Sequence, residues 1–399
     1  MNQKQETNRW LMMAFGMICM LVMGICYTFS LFQPYIMEHF SVSSASASLP
    51  YTIFIAVFCL GNFFGGVMQR KMNLKLVLVI GYTLMFAGWF TSSMLPPENF
   101  TLMYFTYGGI FGCGNGIIYN VIVSLMPKWF PDRKGLASGL TLAMLGISAT
   151  VFSPVVSSWL TNNGYSKSFM YVSFVYVAIG IFGTLTLKAP SDDFMADYVS
   201  TGANVTSKKQ YTLQEALKVK ELYTLTGLYF CAVPAYLLLS AIFVTYGADK
   251  GITPAMATLG VSIASLFQVG GRFIIPTISD KIGRKAAFAV AFFITAVGVA
   301  LLMVATGTLY MFCFWLLSLS YGGCQACFSP IAADRFGTKN VGVILSFTMI
   351  GFGVGSVGAS LLAKVVGTTT AFICAGAVAL VGIVLVFTLP GKKNAEKEA

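Results

Sequence analysis

The chain has 399 residues, 57% of them hydrophobic and only 10% charged, with 25 Lys and Arg against 14 Asp and Glu. A soluble domain carries roughly 25% charged residues, so this composition excludes a globular enzyme and describes a polytopic membrane protein. The single histidine (His39) and the lack of a GxxxxGK[ST] sequence argue against His-based catalysis and ATP-driven work.

A membrane-spanning helix needs about 20 apolar residues. In chain order, twelve runs meet this: 10–34, 50–69, 76–95, 101–126, 136–160, 168–188, 222–247, 255–278, 286–306, 309–331, 340–363 and 368–389. The polar stretch 189–221 divides them six and six. The expectation is an all-α membrane protein with a six-helix bundle over 1–188, a connecting loop over 189–221 and a second six-helix bundle over 222–399. Within the loop, Thr212 and Glu215 have capping-box spacing, which predicts a short amphipathic helix or, equally, a plain linker. Gly108, Gly112 and Gly116, like Gly351 and Gly355, recur every fourth residue, a spacing that lets membrane helices pack closely.

Twelve spans return both termini to one side, and Lys and Arg choose that side. With the termini cytoplasmic, twenty-one basic residues lie inside and three (Lys167, Lys250 and Lys364) outside. The chain is therefore expected in the cytoplasmic membrane with its termini inside. Its excess positive charge reflects topology and lipid contact, not nucleic acid.

The remaining basic residue is Arg272, the only ionisable group in Thr258 to Ile278. A guanidinium in hydrocarbon costs at least about 2.5–3.5 kcal/mol and cannot escape by losing its proton. Such a residue is expected to face a cavity and meet an anion. The bland alternative is snorkelling, since it lies near one end of its span. All fourteen acidic residues lie in loops or at span ends, so the expected cavity carries about one positive charge and suits a monocarboxylate. Gln268 lies one turn before Arg272 on the same face. Tyr27, Tyr119 and Tyr321 each place a hydroxyl at the end of an apolar body, in which any of them could equally be packing. Asn115 precedes Tyr119, and Tyr321 precedes Gln325, by one helical turn. Asn62, Gln33 and Asn120 are further polar candidates. Cys324 and Cys327 make one CxxC pair, short of the four ligands of a zinc site, so neither metal nor cofactor is expected.

Basic loops recur about 200–210 residues apart: 68–75 with 279–285, and 130–135 with 333–339. The sequence Asp280-Lys-Ile-Gly-Arg284-Lys285 resembles the signature loop of the major facilitator superfamily. Its first-half copy departs, with Arg70 in place of Asp and Asn73 in place of Gly. Lys128-Trp-Phe-Pro-Asp132-Arg133-Lys-Gly-Leu-Ala-Ser-Gly139 closely resembles the oxalate–formate antiporter family, related to the monocarboxylate transporters. Asn8-Arg9-Trp10 and Gly271-Arg272 fit the same family, and the likeness spans essentially the whole chain. It implies the major facilitator fold and carboxylate binding by Arg272. It also implies enclosure of the anion by Tyr27, Tyr119, Tyr321 and Gln325, and gating by Asp280, Arg284, Asp132 and Arg133. The oxalate carrier adds a lysine in its eleventh span, where this chain has Phe347 and Thr348. Some monocarboxylate transporters have a proton-coupling Asp where this chain has Gln268, which cannot titrate.

The expected function is secondary transport of a small monocarboxylate such as lactate, pyruvate or formate by a monomer, coupled to protons or to a counter-anion. Two alternatives stand beside it. A drug or lipophile exporter of the same fold would not need Arg272, and a carboxylate sensor would bind without flux.

Overall fold

The computed structural model describes residues 3–130, 134–190, 211–336 and 341–389, and every regular element among them is helical. In a bilayer each backbone N–H and C=O must be satisfied within the protein, and apolar helices do this with local bonds. The first span is built from α1 (Gln3–Met23), a tight 3-10 segment (Gly24–Thr28) and α2 (Phe29–Phe40). It is followed by α3 (Ser44–Lys71) and α4 (Leu74–Ser93), and then by a π-helical stretch (Tyr104–Phe111) that runs into α5 (Gly112–Trp129). After α6 (Lys134–Thr186) comes the one-turn α7 (Leu213–Ala216). The seventh span is α8 (Lys220–Ala232) with α9 (Pro234–Ala248), and the rest are α10 (Pro254–Ile282), α11 (Arg284–Val304), α12 (Gly307–Phe336), α13 (Val341–Val366) and α14 (Thr368–Phe387).

Among the described residues, eleven stretches are long and apolar enough to cross a membrane. Spans five and six of the sequence both lie in α6, which runs for 53 residues through a break at Gly164 with φ 68°. At 1.5 Å per residue α6 would be about 80 Å long, far more than one hydrocarbon core of about 30 Å. Glycine at the break adopts a left-handed φ without steric cost. The first span runs on to Phe40, and the second starts at Ser44, because Pro34 and Pro50 lie inside helices instead of ending them. Thr212 and Glu215 form the capping box, with both reciprocal bonds present.

The chain divides into two compact units, Met1–Val42 with Ile53–Thr201 and Ser43–Thr52 with Gly202–Ala399. The core of the first is aromatic: Trp89 lies 4.6 Å from Phe169 and 5.3 Å from Tyr107, and Phe54 stacks on Phe111 at 4.9 Å. The second holds a column in which Phe243 stacks on Phe314 at 4.3 Å and on Tyr310 at 5.1 Å.

The same helix crossing occurs in each unit. In the first, a Cβ on Gly61 would lie 2.3 Å from the Cys113 carbonyl oxygen, and one on Gly116 2.2 Å from that of Phe58. In the second, a Cβ on Gly271 would lie 2.0 Å from the Leu319 oxygen, and one on Gly322 2.1 Å from that of Gln268. Small residues let α3 and α5, and likewise α10 and α12, touch backbone to backbone. Matching the crossings makes Asn62 the counterpart of Arg272, Asn115 of Tyr321 and Tyr119 of Gln325. The interrupted first span, with Tyr27 in its 3-10 segment, has a parallel in the seventh, which breaks at Val233 before Pro234 and Tyr236.

Candidate functional site

In the second unit the site begins at the crossing of α10 and α12. Gly271 and Gly322 bring the helices so close that their side chains fan out on either side. Arg272 follows Gly271 and is half-buried on α10. One turn earlier, Gln268 is 1% exposed and donates from Nε2 to the Tyr236 hydroxyl at 3.3 Å. The Tyr236 ring stacks on Tyr321 of α12, with centroids 4.1 Å and planes 18° apart. One turn beyond Tyr321, the Gln325 Nε2 is buried and has no hydrogen-bond partner. An amide donor left unsatisfied in this way costs about 1–3 kcal/mol, and what it lacks is an acceptor. Four of the sequence candidates, Arg272, Gln268, Tyr321 and Gln325, thus share one crossing.

Tyr236 joins them, although sequence reasoning missed it. The available signal was Pro234 in the middle of an apolar span: proline has no N–H and breaks the helix, and Tyr236 follows the break. On α13, the Thr348 hydroxyl turns back onto the Leu345 carbonyl at 2.8 Å, and Phe347 packs edge-on against Tyr223. Neither position supplies a cation.

In the first unit Tyr27 lies half-buried within the 3-10 segment. Asn115 of α5 is 2% exposed and its Nδ2 donates to the Met23 carbonyl at 3.4 Å, at the start of that segment. Tyr119 packs edge-on against Phe58 at 5.1 Å. Of the other polar candidates, Gln33 lies buried on α2, and Asn62 and Asn120 belong to a chain between α3 and α5. Ser124 donates to Gln69 at 2.8 Å, Gln69 to Asn120 at 2.7 Å, and Asn120 to Asn62 at 2.9 Å.

Of the expected gating residues, Asp132 and Arg133 lie outside the described residues. Asp280 is on α10, but its side chain is outside them too. Arg284 donates from Nη1 to Ser279 Oγ at 2.8 Å, tying the start of α11 to the end of α10. The residues that lead into the loop after α5 are fixed. Trp129 Nε1 donates to the Lys188 carbonyl at 2.9 Å. Phe130 meets Trp10 edge-on at 4.9 Å and carries the Arg9 guanidinium 5.1 Å from its centroid. At the end of α12, Arg335 pairs with Glu221 at the start of α8.

The model of the Major Facilitator Superfamily matches residues 12–348 and again 225–399. The chain is 30% identical to the oxalate:formate antiporter of Oxalobacter formigenes over 336 residues, 83% of this chain and 78% of that one. It is 24% identical to an uncharacterized MFS-type transporter of Escherichia coli (strain K12) over 362 residues, 88% of this chain and 87% of the other. It is also 24% identical to monocarboxylate transporter 13 of Rattus norvegicus over 385 residues, 93% and 86% of the two chains.

Proposed function

We propose, since the chain belongs to the major facilitator superfamily and is a multi-pass transporter of the plasma membrane, that its cargo is a small monocarboxylate. Formate, lactate and pyruvate represent the class. The observation that carries the reading is the buried, partnerless Gln325 Nε2 at the α10–α12 crossing, on the same crossing as the one guanidinium inside a span. An amide donor and a guanidinium together suit a carboxylate, which accepts two parallel bonds from arginine and further bonds from neutral donors. Tyr321, Tyr236 and Gln268 orient these donors within the second unit, and Tyr27 and Tyr119 are the substrate-facing candidates of the first. The preference for one negative charge is supported by the lack of Lys or Arg over Ser346 to Phe352, where a dianion would need a second cation. A second charge without a countercharge in low dielectric costs several kcal/mol.

We read the coupling as exchange of one anion for another. Gln268 cannot carry a proton, and no Asp, Glu or His lies in the interior of spans seven to twelve. The similar antiporter of Oxalobacter formigenes, named for oxalate and formate, agrees with exchange. The charge bias of the loops supports cytoplasmic termini. The test is uptake of labelled formate, lactate and pyruvate into preloaded proteoliposomes, wild type against Arg272→Ala. Uptake of one of these, lost in the variant, is the expected result. Equal uptake by both proteins refutes the anion site.

A further inference from the structure

We propose that Asn115 is a positioning residue: it holds the first span in its 3-10 form and thereby sets the direction of Tyr27. This rests on the reading of Tyr27 as part of the transport site. In an α-helix the Met23 carbonyl would accept from the N–H of Tyr27, four residues on. From Gly24 the chain instead winds as a 3-10 helix, with bonds three residues apart, and the Phe29 N–H closes onto the Cys26 carbonyl in the same pattern. That geometry makes poorer bonds and leaves acceptor capacity on the carbonyls of the segment. Two side chains take it up. Asn115 Nδ2 donates to the Met23 carbonyl at 3.4 Å, and the Thr28 hydroxyl donates to that of Ile25 at 2.8 Å. On another side the segment lies against α6, where a Cβ on Gly24 would come within 2.4 Å of the Ser148 Cβ and 2.6 Å of the Leu145 carbonyl oxygen.

The tighter winding has a geometric consequence. A 3-10 helix turns about 120° per residue and an α-helix about 100°. Over the four steps from Met23 to Tyr27 the difference is about 80° in direction, with about 2 Å of extra rise. Relaxed to α, the span would aim Tyr27 at a different face. The second unit reaches the same interruption by another route. There Pro234, which has no N–H, breaks the seventh span before Tyr236, and the counterpart of Asn115 is Tyr321, which stacks on that tyrosine. The first span has Gly24-Ile25 at this point and no proline, so a side-chain donor from α5 does the proline's work.

The primary test does not depend on cargo. Tyr27→Cys is labelled with a small maleimide, and the rate at position 27 is read by tandem mass spectrometry. Adding Asn115→Ala, or separately Thr28→Val, is expected to change that rate severalfold in protein that still unfolds cooperatively, even where the loss of a buried bond lowers the midpoint. An unchanged rate in both variants overturns the proposal, whatever the protein carries. In formate uptake, Asn115→Ala is expected to raise KM in a wild-type background and to add nothing once Tyr27 is Phe. Additive effects would place Asn115 on the substrate itself and also overturn it. Failure of the carboxylate reading shows separately, as uptake insensitive to Arg272→Ala.

Discussion

Replacing Gln325 by Leu makes stability and binding move in opposite directions, an outcome an ordinary core residue does not produce. In the free protein the Gln325 Nε2 is buried with no partner. Such a group carries a penalty of about 1–3 kcal/mol, and an apolar side chain of similar size removes it. The variant is therefore expected to unfold later than the wild type in the absence of ligand. With a carboxylate bound as proposed, the same amide would donate to it. A hydrogen bond to a charged group is worth about 1.5–3 kcal/mol, so losing it weakens binding by about 10- to 100-fold. The assay is thermal unfolding of purified protein across a formate and lactate series, paired with uptake into proteoliposomes. The expected signature is a higher midpoint without ligand, a smaller ligand-induced rise and a higher KM. A lower midpoint with unchanged KM would make Gln325 a packing residue and refute the reasoning.

Arg272→Lys keeps the charge but loses the paired donors of the guanidinium. It is expected to raise KM for formate by at least about tenfold, and wild-type kinetics would contradict a bidentate contact. Tyr236→Phe removes the hydroxyl that Gln268 donates to and is expected to cost about 1–3 kcal/mol of stability, with a raised KM; a silent change in both would detach Tyr236 from the site. Gly322→Ala sets a Cβ 2.1 Å from the Gln268 carbonyl and is expected to lower stability by about 1–3 kcal/mol through overpacking, which a calorimetric scan would register. Phe347→Lys, at the half-buried position of the eleventh span, supplies a second cation and is expected to let oxalate compete with labelled formate. Failure of oxalate to gain on formate would show that cavity charge does not set the preference.

The order of the spans, and their number once α6 is taken as two crossings, were legible because the membrane imposes one strong rule, about 20 apolar residues per crossing. Boundaries slipped where proline was involved: Pro34 and Pro50 look like ends in sequence, yet both sit inside helices whose neighbours tolerate the missing bond. Arg272 was legible because a lone charge in an apolar run is costly enough to stand out. The capping box at Thr212 was visible for a similar reason, since it is a local pattern. Tyr236 was not visible. Its place depends on Gln268 and Tyr321, which lie 32 and 85 residues away in the chain, and nothing local marks one buried tyrosine above another. Asn115 was picked out for its spacing from Tyr119, yet its partner is a backbone carbonyl on another helix, a contact with no sequence signature.

The two units show why matching sequence to sequence finds so little of this. The crossings at Gly61 with Gly116 and at Gly271 with Gly322 are the same object, held by the same requirement that no Cβ intervene. Around that fixed point the chemistry has diverged, with Asn62 opposite Arg272, Phe58 opposite Gln268 and Tyr119 opposite Gln325. Near its crossing the first unit bonds polar side chains to one another, along the chain from Ser124 to Asn62. The second leaves a donor unsatisfied. Buried polar atoms without a partner occur in the first unit too, at Trp89, Ser148, Ser153 and Tyr176, so it is the place of Gln325, on the crossing that carries Arg272, that favours a ligand there. The shared scaffold is therefore best read in the glycines. What differs is the chemistry set around them: side chains bonded to one another beside Gly61 and Gly116, and beside Gly271 and Gly322 a buried amide donor on the crossing that carries a guanidinium.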